Sequence, residues 1–129
     1  MANLSYHEQK DRENILKLRE MLNSLPPFCK DFFRGIEPRT SSRTRIAYAY
    51  DLGVFFDFLV RENPALSRLD KTAVTLEHLD QLTVGDFEEY MEYLKYRFND
   101  RDQEVMNKER GIKRKVSTLK SFYNYFYRA

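Results

Sequence analysis

The fold of this chain is decided by Arg43-Thr44-Arg45-Ile46-Ala47-Tyr48-Ala49-Tyr50-Asp51-Leu52-Gly53-Val54-Phe55-Phe56-Asp57-Phe58-Leu59-Val60-Arg61. With Tyr48 as origin and ~100° per residue, Leu52 falls near 40°, Phe55 near −20° and Leu59 near 20°, and Phe56 and Phe58 flank them. An apolar arc this wide belongs to a helix at the centre of a core. Asn63-Pro64 ends it. The polar stretch Arg39-Thr40-Ser41-Ser42 before it supplies an N-cap.

Outward from that helix, the pattern stays helical. Ile15, Leu18, Met21, Leu22 and Leu25 predict an amphipathic helix over 5–24, stopped by Pro26-Pro27. Phe28, Phe32, Phe33 and Ile36 predict a short helix over 27–36, ended by Gly35 and Pro38. Residues 64–74 read as a loop, and 75–82 as one helical turn or an extended connector. Thr83 with Asp86 suits a capping box, followed by Phe87, Tyr90, Met91, Leu94 and Phe98 at helical spacing. Residues 99–105 read as a polar loop, and a final helix is expected over about 107–128. The expected fold class is all-α, a compact bundle of four to five helices. Two units are expected: an N-terminal helical extension over 1–25 and one globular domain over 26–129.

Composition narrows the function. The chain has 129 residues, 42% hydrophobic and 15% aromatic, with ten Phe, nine Tyr and no Trp. That suffices for one sizeable core. Four Gly and four Pro are too few for a many-stranded sandwich or barrel. No run approaches a membrane span, and the N-terminus has no apolar signal region. A cytoplasmic location is the default. The single Cys29 excludes a disulfide framework, and the isolated His7 and His78 argue against zinc. The run Asn99-Asp100-Arg101-Asp102-Gln103-Glu104 lacks the glycine and distal glutamate of a calcium loop. No cofactor and no metal are expected.

The net charge of +2 conceals two opposed segments. Residues 75–105 carry three basic and nine acidic side chains, whereas 106–129 carry seven basic and one acidic. Two readings are open: the segments attract each other, or the basic end binds a polyanion. On the final helix, with Val116 as origin, Ile112, Leu119, Tyr123 and Phe126 form one stripe between about −20° and −80°. The arc from about 40° to 160° holds Lys120, Lys113, Asn124, Ser117, Arg110, Arg128, Ser121 and Arg114, with no acidic residue. Cations neutralise phosphates, hydroxyls donate to phosphates or bases, and a helix fits the major groove. Thr40, Ser41, Ser42, Arg43, Thr44 and Arg45 place arginines and hydroxyls at a helix N-terminus, whose outward N–H groups favour an anion. The bland readings are a solvated basic face and an ordinary cap.

Three segments resemble the core-binding domain of tyrosine recombinases, the phage-integrase and Xer-like family. They are Thr44-x3-Tyr48-x3-Leu52-x2-Phe55-x2-Phe58-Leu59, then Leu82-Thr83-Val84-Gly85-Asp86-Phe87-Glu88-Glu89-Tyr90, then Ile112 through Phe126 with its Leu119-x2-Phe122-Tyr123-x-Tyr125-Phe126 core. They stand in the family's order across roughly residues 28–128. Gly111 departs from the family's usual Ser or Thr, and the long first helix and the 99–107 connection are less typical. The resemblance implies a SAM-like helical bundle that closes over one face of a recombination half-site. It implies double-stranded DNA and other recombinase protomers as partners, and no membrane. DNA contacts are expected at Thr40, Ser41, Ser42, Arg43, Thr44, Arg45, Arg110, Lys113, Arg114, Ser117, Lys120 and Ser121. The family's catalytic Arg, Lys, His-x-x-Arg and nucleophilic Tyr sit in a separate C-terminal domain, and no His-x-x-Arg occurs in this sequence. The chain is therefore expected to be the DNA-binding portion of a larger recombinase and not itself an enzyme. Tyr123, Tyr125 and Tyr127 read as packing residues, lacking an activating group. The alternative is a helical protein–protein interaction module using exposed aromatics.

Overall fold

The computed structural model describes residues 5–127 and contains six α-helices among them. In chain order these are α1 (Tyr6–Leu22), α2 (Cys29–Ile36), α3 (Ser42–Glu62), α4 (Leu76–Asp80), α5 (Val84–Lys95) and α6 (Glu109–Tyr127). Between α5 and α6 lies an antiparallel hairpin of β1 (Arg97–Phe98) and β2 (Glu104–Val105). The result is the expected mostly helical bundle, with α4 as the additional helix.

Local chemistry explains the helix starts. The hydroxyls of Ser5 and Ser41 accept the backbone N–H groups of Glu8 and Thr44, each at 3.1 Å, at the heads of α1 and α3. Thr75 and His78 form a capping box on α4, and Thr83 and Asp86 form one on α5. Each satisfies N–H groups that the first helical turn leaves without partners.

Four local expectations change. Pro27 does not start α2: it and Phe28 form a turn, and the helix begins at Cys29. Gly35 lies inside α2 rather than ending it. The Tyr125 ring occupies the space a Cβ would take, so the glycine serves close approach and not a turn. α5 stops at Lys95, before Phe98, because the chain becomes extended at Tyr96 and enters the hairpin. Phe98 is consequently exposed, and Met91, although inside α5, lies on its solvent side. The 99–105 segment is a hairpin end, with Asp102 in the left-handed region (φ 55°), a conformation Asp tolerates better than most residues.

The core is aromatic. Leu52, Phe55, Phe56 and Leu59 of α3 are fully buried, as are Phe32, Leu94 and Phe122. Phe122 lies 5.3 Å from Phe32, 6.0 Å from Phe28 and 6.2 Å from Phe56, ring centre to ring centre. It therefore joins α2, α3 and α6. Leu18 and Leu25 join this same cluster, which places α1 against α3. Lys71 reaches back to Asp57 at 3.0 Å and holds the long connection to α3.

Truncating Phe122 to Ala is expected to cost about 3–5 kcal/mol in urea unfolding, since the cavity opens where three helices meet. Burial pushes the Cys29 thiol up from 9.0 to about 12. Its proton is held more tightly in the folded state, so this stabilisation is complete below pH 9 and fades as pH climbs toward 12. At pH 8 the folded chain should resist iodoacetamide and react once urea unfolds it, as mass spectrometry would read.

Candidate nucleic-acid interface

The basic face of α6 reaches solvent. Arg110, Lys113, Arg114, Ser117 and Lys120 stand at or near the surface, as does Asn124, and Ser121 is half-buried. Arg128 lies outside the described residues. Lys113 pairs with Glu109 one turn earlier at 3.1 Å. Both side chains are exposed, so the pair is worth little and a phosphate can displace the carboxylate.

The orientation of α6 differs from its apolar stripe in one respect. Buried on it are Lys115, Thr118, Leu119 and Phe122, while Ile112, Tyr123 and Phe126 are half-buried. On the helical wheel that buried arc runs from about −60° to −160°, rotated from the expected stripe by roughly 60°. Arg114, near 160°, borders Thr118, near −160°. It thus sits at the edge where the cationic face meets the core.

At that edge lies a carboxylate that the spacing of α3 does not single out as functional. Asp51 of α3 is 1% exposed. Its Oδ1 accepts a hydrogen bond from Arg114 Nη2 at 2.8 Å and lies 3.4 Å from Lys115 Nζ. Its Oδ2 accepts from the Thr118 hydroxyl at 2.7 Å. The Lys115 ammonium is also 5.2 Å from the centre of the Tyr50 ring, a cation–π arrangement. Burial lowers the Lys115 pKa, and the Asp51 charge beside it partly offsets that. Nearby, the Tyr90 hydroxyl is buried with no hydrogen-bond partner among the described residues, and burial, then the Asp51 charge, raises its pKa. A signal existed for Asp51: at about −60° on the α3 wheel it falls between Phe55 and Phe58, inside the apolar arc. A lone acid in such an arc requires a buried partner.

The residues expected at the head of α3 separate into two groups. Ser41, Arg43 and Thr44 remain at or near the surface. Ser41 and Arg43 line an open groove with Tyr6, His7 and Lys10 of α1. Ser42 and Arg45 point inward. Arg45 donates to the carbonyls of Thr40 at 2.6 Å and Glu37 at 3.1 Å, and to the Thr40 hydroxyl at 3.2 Å. It clamps the turn between α2 and α3, where the Glu37 carbonyl otherwise accepts only a long 3.4 Å bond from the Thr40 N–H and the Thr40 carbonyl precedes the first turn of α3. Thr40 also donates to the Ile36 carbonyl at 2.7 Å, and Ser42 accepts from Asn14 of α1 at 3.3 Å. Thr44 and Asp51 are seven residues apart on one face of α3, about 10 Å along the axis.

Removing the Arg45 side chain is expected to cost about 1–3 kcal/mol in thermal or urea unfolding, because part-buried carbonyls lose their donor. Removing Arg43 should change stability by less than about 0.5 kcal/mol.

No family model matches the chain, and no solved structure matches it. A tyrosine recombinase, XerC of Caldanaerobacter subterraneus subsp. tengcongensis, is 34% identical over 109 residues. That alignment covers 80% of this chain and 30% of the relative, so the chain spans under a third of that protein's length. Among the described residues, no helix is long and apolar enough to cross a membrane. At this identity over most of its length, the chain is related to tyrosine recombinases.

Proposed function

We propose that this chain is the DNA-binding, core-binding domain of a site-specific tyrosine recombinase, closing over one face of a recombination half-site. The observation that carries this reading is the outward α6 face, where Arg110, Lys113, Arg114, Ser117 and Lys120 stand together on one helix. The relationship to a tyrosine recombinase supports it. In this reading α6 faces the major groove. Lysines and arginines neutralise phosphates, and Ser117 and Arg114 are placed for base edges or phosphate oxygens. Ser41, Arg43 and Thr44 at the head of the 21-residue α3 add N–H groups and a cation for a neighbouring phosphate. Arg45 and Ser42 leave the proposed contact set, since the fold uses them. Other recombinase protomers on the same DNA are the proposed protein partners.

DNA cleavage belongs in this reading to residues outside the chain, since the sequence holds no His-x-x-Arg to activate a phosphodiester. The isolated chain should form no covalent adduct with a nicked duplex, as a denaturing gel would display.

The experiment that tests the interface is duplex binding against salt. Lys113→Ala with Lys120→Ala should lower the slope of log K against log salt by roughly 1.8, about 0.9 for each phosphate no longer neutralised. The equal-charge control is Lys17→Ala with Lys30→Ala, on α1 and α2. If the control weakens binding as much as the α6 pair does, α6 is not the reading surface. A flat response between about 50 and 200 mM salt would favour the protein-interaction module instead, with the exposed Tyr96, Phe98 and Met106 as its apolar surface.

A further inference from the structure

We infer that Asp51 is a positioning residue for DNA recognition: it pins the Arg114 guanidinium in the orientation in which that group meets the duplex. This deepens the proposed function and rests on it. One buried carboxylate faces two cations, Arg114 and Lys115. The Lys115 side chain is 2% exposed and cannot reach a ligand outside the fold. Asp51 therefore balances Lys115, and the positive charge left over in the triad resides on Arg114.

The Arg114 side chain is 54% exposed while one of its terminal nitrogens is fixed at 2.8 Å from Asp51 Oδ1. A guanidinium carries five N–H donors in one plane. Binding one terminal nitrogen to a buried oxygen holds that end of the group in place, and the half-exposed side chain keeps its other donors available. The carboxylate cannot swing, because Thr118 holds its other oxygen at 2.7 Å from the next turn of α6. Free arginines lose considerable rotamer freedom on binding, and holding one in place beforehand removes part of that cost. Within the described residues, Arg110, Lys113 and Lys120 project from α6 without a buried carboxylate to anchor them. On the proposed face, Arg114 is the cation that combines exposure with a buried acceptor.

The test separates anchoring from folding and from net charge. Asp51→Leu by itself strands a buried ammonium, and Asp51→Asn keeps an amide oxygen that Arg114 can still meet, so the informative variant is Asp51→Leu with Lys115→Met. It removes one acid and one base, keeps net charge, and fills the lysine's space with an apolar chain of similar length. On a mixed-sequence DNA duplex its affinity should fall about tenfold, the worth of roughly one oriented contact, with the salt slope unchanged. Arg114→Ala should cost about tenfold in the wild-type background and much less in the double variant, since the two changes act on one contact. A readout that needs no variant is arginine side-chain NMR of the DNA-free wild-type chain: the Arg114 guanidinium should be rigid, and that of Arg110 mobile. The inference is overturned if the two arginines are equally mobile. It is overturned equally if the folded double variant binds as the wild type does while Arg114→Ala still weakens binding, an outcome that leaves the DNA-binding reading intact. Absence of any duplex binding by the wild-type chain would overturn that reading and this inference together.

Discussion

The ion pair and hydrogen bonds at Asp51 set the rotation of α6 about its own axis, and the exposed surface follows from that rotation. Apolar burial of Phe122 and Leu119 is less directional than a hydrogen bond. A carboxylate fixed to Arg114, Lys115 and Thr118 is directional. With those contacts made, Arg110, Lys113, Ser117 and Lys120 face solvent. Buried ion pairs contribute little net stability after desolvation, and their best-attested use is to specify one arrangement over others. The Asp51 cluster has the form such a role requires, with both carboxylate oxygens used and both cations drawn from the helix being oriented.

The same economy appears at the head of α3. Seven residues there, Arg39 to Arg45, look alike in sequence, rich in arginine and hydroxyl. The fold assigns them opposite tasks. Arg45 closes the α2–α3 turn by bonding its carbonyls, and Ser42 ties α3 to α1. Arg43 and Ser41 stay on the groove with α1. Successive helix positions differ by about 100°, so neighbouring residues of identical chemistry are sent to different environments. Composition at such a segment therefore overstates the number of groups free for a ligand.

The relationship to a tyrosine recombinase and the surface geometry bear on different levels. Homology at 34% identity concerns ancestry over 80% of the chain. It does not place a side chain. The α6 face, the Asp51 anchor and the Arg45 clamp come from side-chain placement, and they divide the candidate residues into those the fold consumes and those it leaves at the surface.

How much was legible in the sequence is best seen residue by residue. The apolar spacing from Tyr48 to Leu59 determined that α3 is the central helix, because burial of a wide apolar arc leaves no other position for it. The Thr83 and Asp86 pair determined where α5 starts, because a capping box is a local bond pattern needing nothing beyond four residues. The all-α class followed from 3.6-residue periodicity and the scarcity of turn residues, both local properties. Tertiary structure alone decided the rest. It placed Gly35 under Tyr125, ended α5 before Phe98, buried Arg45, and turned Lys115 inward to Asp51. Each of these depends on an atom from a distant part of the chain arriving within a few ångströms, and periodicity within one helix carries no record of which neighbour will be there.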